Sequence, residues 1–535
     1  MPDSHPVTIP PFDLERWQSA QKDLLRGRGD RALTTYRELL KRFPDNEKLW
    51  FELGLAAVRE LEFDEADRAF QRTAELSPKD VSLRVLLGQQ YHLLRRMDRA
   101  RACFEAAAAM DPASVHGQLS LANWYERENR LAEAQACVAA CAARHPDNAQ
   151  VRCFEALLLQ RGRQPAAAEK LLRELIAQEA TARSSPDLNV KFSCRHQLAV
   201  VLDETGQYAE ALKWLGEAKS LIRQSANIAK LEQTYDLADR RRRQLLAELT
   251  PEMIRRWREE DNRDAATSGS PTPALAFLGG HPRSGTTLLE QILGAHPGIA
   301  AFDEPVAFTQ EIVEQLAPLE NAPTLTANTL NLLSAARRTQ LRQRYLKNLS
   351  REVAGGNWGV ANRGWPQGLL DKNPSHTASI HLWLRIFPKV KIIIALRDPR
   401  DVIVSCHFQN LLLTATNANF LSLERTVKHY TDLMDVWLRR RELGGFDWIE
   451  TRYEDVVENL EAEGQKVTKF LGLEWAPSQA AFYESARKKT VVAPNYNAVT
   501  RPVYRTAMGR WRNYAEAVAP FQERLAPYCR AFGYD

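Results

Sequence analysis

No uninterrupted apolar run of about 18 residues occurs anywhere in the chain, so a membrane-spanning helix is not expected. The first residues, Met1-Pro2-Asp3-Ser4-His5-Pro6, lack the basic patch and apolar run of a secretory leader. A soluble, cytoplasmic protein is the expectation. Cysteine is sparse, with seven residues in 535 and no C-x-x-C pair. That odd, scattered set argues against a disulfide framework and against a zinc site. Cys137 and Cys141 share a helix face, but in an alanine-rich helix they read as packed thiols. Nor does one charge dominate: 72 Lys and Arg stand against 67 Asp and Glu, a net charge of +5. Nothing in that balance demands a nucleic-acid or membrane partner. An apolar content of 44% and a length beyond a single core point to an ordinary globular chain of at least two units.

What the chain has in plenty is periodicity. Pro44, Pro78, Pro112 and Pro146 are spaced 34 residues apart, and a fixed period of this kind precedes any local motif. The segments between them agree position by position. Leu53-Gly54, Leu87-Gly88 and Leu121-Ala122 recur in a first helix, and Ala32, Ala66, Ala100, Ala134 and Ala168 in a second. Tyr36, Phe70, Phe104, Val138 and Leu172 follow four residues later. Small residues facing large ones let antiparallel helices close on one another and stack. This resembles the tetratricopeptide repeat, over residues 13–220. A further unit with Leu198, Ala199, Tyr208, Ala211, Leu215 and Ala218 returns after an insertion at Thr181–Pro186. Two uses of such an array stay open: a groove for an extended peptide or partner protein, or a prop for the following domain and a surface for homodimerisation. Residues 221–272 read as a helical connector and linker, with Arg240–Arg243 as a solvated face and Asp261–Pro273 as the linker itself.

From Pro273 the pattern changes to strands alternating with helices, which predicts an α/β domain with a central parallel sheet over 273–535. The fold class expected is therefore multidomain, an all-α repeat solenoid followed by an α/β, P-loop-like domain. Its key stretch is Phe277-Leu278-Gly279-Gly280-His281-Pro282-Arg283-Ser284-Gly285-Thr286-Thr287, a strand end, a small-residue loop and a helix start. Backbone N–H groups and the helix dipole make such a turn an anion cradle. Gly280 and Gly285 are spaced as in a nucleotide P-loop, yet Thr286 stands where that motif has lysine. The aliphatic run Val390–Leu396 ends in Arg397, where a magnesium-dependent kinase would need an acidic metal ligand. A cation there suggests anion binding without a metal.

Pro282–Thr287, followed by Arg397-Asp398-Pro399-Arg400-Asp401 and then Ser405, resembles the two cofactor signatures of sulfotransferases that use 3′-phosphoadenosine 5′-phosphosulfate. The resemblance implies that Arg283, Ser284, Gly285, Thr286 and Thr287 hold the 5′-phosphosulfate and that Arg397 and Ser405 hold the 3′-phosphate, with no metal. Within that family the chain is most similar to tyrosylprotein sulfotransferases and to bacterial proteins joining such a domain to tetratricopeptide repeats. Glu304 of Asp303-Glu304-Pro305 then falls on the catalytic base. The local alternative is that Asp303 caps a helix Val306–Leu316. Lys372 of Asp371-Lys372-Asn373-Pro374 matches the lysine that stabilises charge on the transferred group. Tyr453, after a short strand Asp447–Glu450, matches the adenine-stacking tyrosine, and Arg510 in the loop Arg501–Trp511 matches the residue that closes over the cofactor. Val306, Gln409 and Asn495 depart from the family pattern, so protein tyrosine is not fixed as the acceptor. The expected activity is sulfuryl transfer to a hydroxyl on a peptide, glycan or metabolite, the repeats binding or gating the acceptor. The rival readings are a P-loop kinase and a non-catalytic repeat adaptor with a vestigial nucleotide-binding domain.

Overall fold

The computed structural model describes residues 9–25, 27–94, 96–179, 187–225, 227–268, 274–316, 325–354, 366–486, 503 and 505–534. The insertion at Thr181–Pro186, the end of the linker (269–273), Asn495 and the start of the late loop lie outside them. Two compact units make up the chain, residues 1–126 with 132–146, and residues 127–131 with 147–535. The division falls within the repeat array.

In the first unit, helices pair as the 34-residue period requires, for example Glu47–Arg59 with Phe63–Leu76. The repeating small position is a packing necessity: a Cβ on Gly54 would lie 2.4 Å from the Phe70 ring. The helix starts follow from local chemistry. Asn46 and Asp80 cap the helices after them by accepting from the N–H of Leu49 and Leu83, which satisfies donors the helix cannot.

In the second unit the array continues through Leu188–Glu204 and Tyr208–Ser225. Helices Ile228–Glu248 and Pro251–Ser268 follow. Two readings of this connector are corrected. Asp261–Ser268 are not linker but the last turns of the helix Pro251–Ser268, and Asp261 pairs with Arg342 at 2.6 Å. Arg242 and Arg243 are not a free solvated face. Arg243 reaches Asp239 (2.8 Å), Asp432 (2.6 Å) and Asp435 (3.1 Å), tying the connector to helix Leu423–Leu443.

The α/β domain is built on five parallel strands: β1 (Ala274–Gly280), β2 (Ile299–Asp303), β3 (Gly368–Lys372), β4 (Lys391–Leu396) and β5 (Trp448–Arg452). Their order is β2-β3-β1-β4-β5. β4 lacks polar alternation because both sheet faces are covered. Ile392, Ile394 and Leu396 enter one core with Phe277 and Trp383, while Ile393 and Ala395 enter another with Leu278, Leu289 and Leu293. β1 is followed by β2 on one side and later by β4 on the other, so the chain reverses direction across the sheet beside it. Such a switch point opens a crevice at the carboxyl ends of the strands. Among the described residues no helix is long and apolar enough to cross a membrane, and all seven cysteines are free thiols.

The last repeat pair is not a separate module. Leu198, Val201, Leu202, Ala211 and Leu215 share one core with Val404, Phe408, Tyr514 and Val518. Lys219 is buried there, with Nζ donating to the Phe420 carbonyl at 2.6 Å. Burial brings its pKa down to about 7. The unfolded chain keeps this proton to about pH 10.4, so stability rises with pH across the window from 7 to about 10 and is flat below it. Relative to a Lys219→Met variant, the native protein should gain about 1.4 kcal/mol per pH unit in that window. Urea unfolding at pH 7, 8.5 and 10 measures this, and parallel stabilities would contradict it.

Candidate functional site

The site grows from the carboxyl end of β1. Gly280 has φ +127°, and a Cβ there would lie 2.3 Å from the Ala395 carbonyl oxygen, so only glycine lets β1 and β4 run together to their ends. Its N–H donates to Thr377 Oγ1 at 2.8 Å, and the Thr377 hydroxyl donates back to its carbonyl at 2.8 Å. The chain then turns, with Ser284 Oγ donating to the His281 carbonyl at 2.7 Å. Gly285 is the left-handed N-cap of helix Thr286–Gly294, and among the described residues no side chain caps it. The first-turn N–H groups are therefore left at the loop with the helix dipole behind them. Thr286 and Thr287 are buried beneath it. A Cβ on Gly285 would lie 2.6 Å from the Tyr453 ring.

The two signatures meet. Arg283 Nε donates to Ser405 Oγ at 3.0 Å, and Arg397 Nη1 donates to the Arg283 carbonyl at 3.2 Å. Arg397 is buried, its guanidinium 5.0 Å from the Tyr453 ring centre and 3.7 Å from Asp401. Its Nε is buried without a hydrogen-bond partner among the described residues. A charged donor left open beside an uncapped helix start is what an anion site needs, since an unpaired buried donor is otherwise costly.

On the other side of β1 stand the carboxylates. Glu304 follows β2, its N–H donating to the Lys372 carbonyl at 2.8 Å, and it sits at φ +51°. Arg283 likewise has φ +75°. Left-handed backbone costs a side-chain-bearing residue about 1–2 kcal/mol, and such strain collects at functional sites. Lys372 is fully buried, its Nζ 3.0 Å from Glu304 Oε1 and in contact with Asp303. Burial opposes its charge, but Asp303, Glu304 and Glu290 outweigh that and raise its pKa. Glu304 itself is 45% exposed and so open to a substrate. The expected helix is present, helical from residue 307 to Leu316 with a π-helical stretch at Thr309–Val313, but its expected cap is corrected: Asp303 ends β2 and pairs with Lys372. The short strand expected at Asp447–Glu450 is β5, Trp448–Arg452, which makes Tyr453 the first residue of the next helix.

Arg510 is the outlier among the expected residues. Its Nη2 donates to Asp203 of the repeat helix Leu188–Glu204 at 2.7 Å. Thr377, Asp401 and Asp203 were not singled out from sequence. Asp401 lies inside the Arg397 motif, but its role in accepting from Gly509 (2.7 Å) and Trp511 (2.8 Å) is a matter of folding. Val306 is 39% exposed, and Gln409 folds back onto the Ser405 carbonyl at 3.1 Å. Among the described residues no group of His, Cys, Asp and Glu could hold a metal.

The α/β domain thus places an uncapped helix start after β1 and Arg397 directly after β4. Residues 274–477 match the sulfotransferase family, and residues 20–66 and 51–115 match the tetratricopeptide repeat. The protein is thus a tetratricopeptide-repeat region followed by a domain of the sulfotransferase family. An uncharacterized protein of Aquifex aeolicus is 25% identical over 338 residues, 61% of this chain and 40% of its own length. Protein-tyrosine sulfotransferase A of Caenorhabditis elegans is 24% identical over 271 residues, 49% of this chain and 68% of that protein. The chain spans 57% of the Drosophila melanogaster protein-tyrosine sulfotransferase, at 24% identity over 54% of its own length. Among solved structures, the sulfotransferase domain of the Synechococcus PCC 7002 olefin synthase matches 45% of this chain and 88% of that one, with TM-score 0.30 and 22% identity.

Proposed function

We propose that the protein transfers a sulfuryl group from 3′-phosphoadenosine 5′-phosphosulfate to a hydroxyl acceptor. The observation that carries this reading is the meeting of Arg283, Ser405 and Arg397 beside an uncapped helix start. The donor fits these residues: the loop N–H groups, Arg283, Ser284, Gly285, Thr286 and Thr287 suit the phosphosulfate, and Arg397 with Ser405 suits the 3′-phosphate. Tyr453, packed on both Gly285 and Arg397, suits the adenine edge of the same pocket.

The bound donor supplies the sulfuryl group and a bisphosphate leaving group. Glu304 takes the proton from the acceptor hydroxyl as its oxygen bonds to sulfur and the bond from sulfur to the bridging phosphate oxygen breaks. Lys372 holds Glu304 in place. One ammonium against the carboxylates of Asp303 and Glu304 leaves net negative charge to receive the proton. The loop donors meet oxygens that gain charge, the contribution such transfers need most. The names of the relatives make a tyrosine hydroxyl on a peptide the first acceptor to try, with the repeats presenting or gating it and Val306 as an uncharged wall beside the base.

Incubation with labelled donor and a panel of peptides, glycans and small hydroxyl compounds tests the reaction; no transfer and no bisphosphate binding would overturn it. Arg397→Ala should weaken binding of 3′-phosphoadenosine 5′-phosphate by about 2 kcal/mol, roughly 30-fold, by loss of a charge-assisted contact. Calorimetry showing unchanged affinity would remove Arg397 from the site.

A further inference from the structure

The repeat helix Leu188–Glu204 brings a carboxylate to the segment that bears Arg510 and Tyr514. Asp203 accepts from Arg510 Nη2 at 2.7 Å and from the Tyr514 hydroxyl, and is only 16% exposed. The loop bearing Arg510 is pinned on both sides to the elements assigned to the 3′-phosphate. Arg397 donates to the Ala507 carbonyl, and the N–H groups flanking Arg510 on Gly509 and Trp511 both donate to Asp401. Asp401 and Ser405 are four apart on helix Pro399–His407, hence on one face. The Arg510 guanidinium lies 4.7 Å from the ring centre of Phe408, which caps that helix one turn beyond Ser405. The same repeat helix sends His196 to the Phe408 carbonyl at 3.0 Å. A guanidinium has five donors in a fixed fork, and Asp203 engages it at one end, through Nη2.

We propose that the last repeat pair is part of the donor-nucleotide site, with Asp203 a positioning residue that aims Arg510 at the 3′-phosphate held by Arg397 and Ser405. This rests on the reading of the site given above. Asp203 fixes the rotamer of a long side chain that would otherwise lose conformational freedom when the phosphate arrives. The repeats thereby act on the donor, whatever they do with the acceptor.

The full chain is titrated by calorimetry with 3′-phosphoadenosine 5′-phosphate and with adenosine 5′-phosphate, which lacks the 3′-phosphate. Asp203→Asn and Arg510→Ala should each weaken the bisphosphate about 5- to 10-fold and leave the monophosphate within about twofold, the range for one charge-assisted contact. The double variant should be no weaker than Arg510→Ala alone, since the two act as one unit. Equal loss for both nucleotides would mean a structural role only and would overturn the proposal. So would additive losses, unchanged bisphosphate affinity, or tighter binding in Asp203→Asn, which would mean that Asp203 withholds Arg510. Should Asp203→Asn unfold, Arg510→Ala alone decides: undiminished preference for the bisphosphate overturns the assignment. If the native protein itself shows no preference for the bisphosphate, the underlying reading of the site fails instead.

Discussion

Glu304→Gln should leave bisphosphate binding intact and lower sulfuryl turnover by about two to four orders of magnitude, the range for loss of a general base. The substitution isolates proton transfer. Glutamine has the same shape, retains an oxygen for Lys372, and leaves the backbone hydrogen bond from residue 304 to the Lys372 carbonyl unchanged. The left-handed backbone at this position is held by that bond and by the strand before it, so the variant should melt near the native temperature. What the amide cannot do is accept the proton. Single-turnover rates with a working acceptor, beside a bisphosphate titration, separate the two effects. Near-normal turnover would move the base elsewhere, and lost nucleotide binding would mean that Glu304 serves the donor.

Acidification from about pH 6.5 should unfold the α/β domain before its carboxylates titrate. Five buried histidines of that domain, His281, His376, His381, His407 and His429, and the half-buried His196 of the repeat helix packed on it are held neutral by burial. Their pKa values fall to about 4 for His196 and His281 and to about 3 for His376, His381 and His407. His281, in the loop after β1, and His429 share one hydrogen bond of 2.8 Å, and charging either ring would strand it against the other. The unfolded chain binds these protons near pH 6.5 and the folded chain does not, so stability is lost as pH falls through the window from 6.5 toward 4. Each group costs about 1.4 kcal/mol per pH unit. Together they reach about 8 kcal/mol per unit, comparable to the whole stability of a domain. Thermal melts from pH 7.5 to 4.5 would show it, and a constant melting temperature between pH 7 and 5 would refute it.

The parts legible in the sequence were those governed by short-range rules. The 34-residue period exposed the repeat helices because Ala66 and Phe70 must recur for one pair to stack on the next. The aliphatic run of β4 and the glycines of the loop exposed the strand end and its turn. Pairings across long separations were not legible. That Asp303 binds Lys372 follows from β2 and β3 lying side by side, and local chemistry read the same aspartate as a helix cap. Arg243 looked like one of four solvated arginines because two of its three partners, Asp432 and Asp435, lie nearly 200 residues away. Arg510 was placed on the nucleotide by motif alone, and its hold on Asp203 depends on where a repeat helix docks.

That docking separates the chain's apparent modules from its physical ones. The core shared by the last repeat pair and helix Pro399–His407 includes, among the described residues, no buried side chain before Cys153. Repeats before Ala149 contribute no buried side chain to it among the described residues, whereas the pair Ala149–Arg161 and Pro165–Glu179 supplies Cys153, Ala156, Ala168, Leu172 and Leu175. These last two pairs are tied to the helix Pro399–His407 through one core. Their sequences answer both to the solenoid and to the α/β domain, so they should diversify at the pace of that domain and not at the pace of the array.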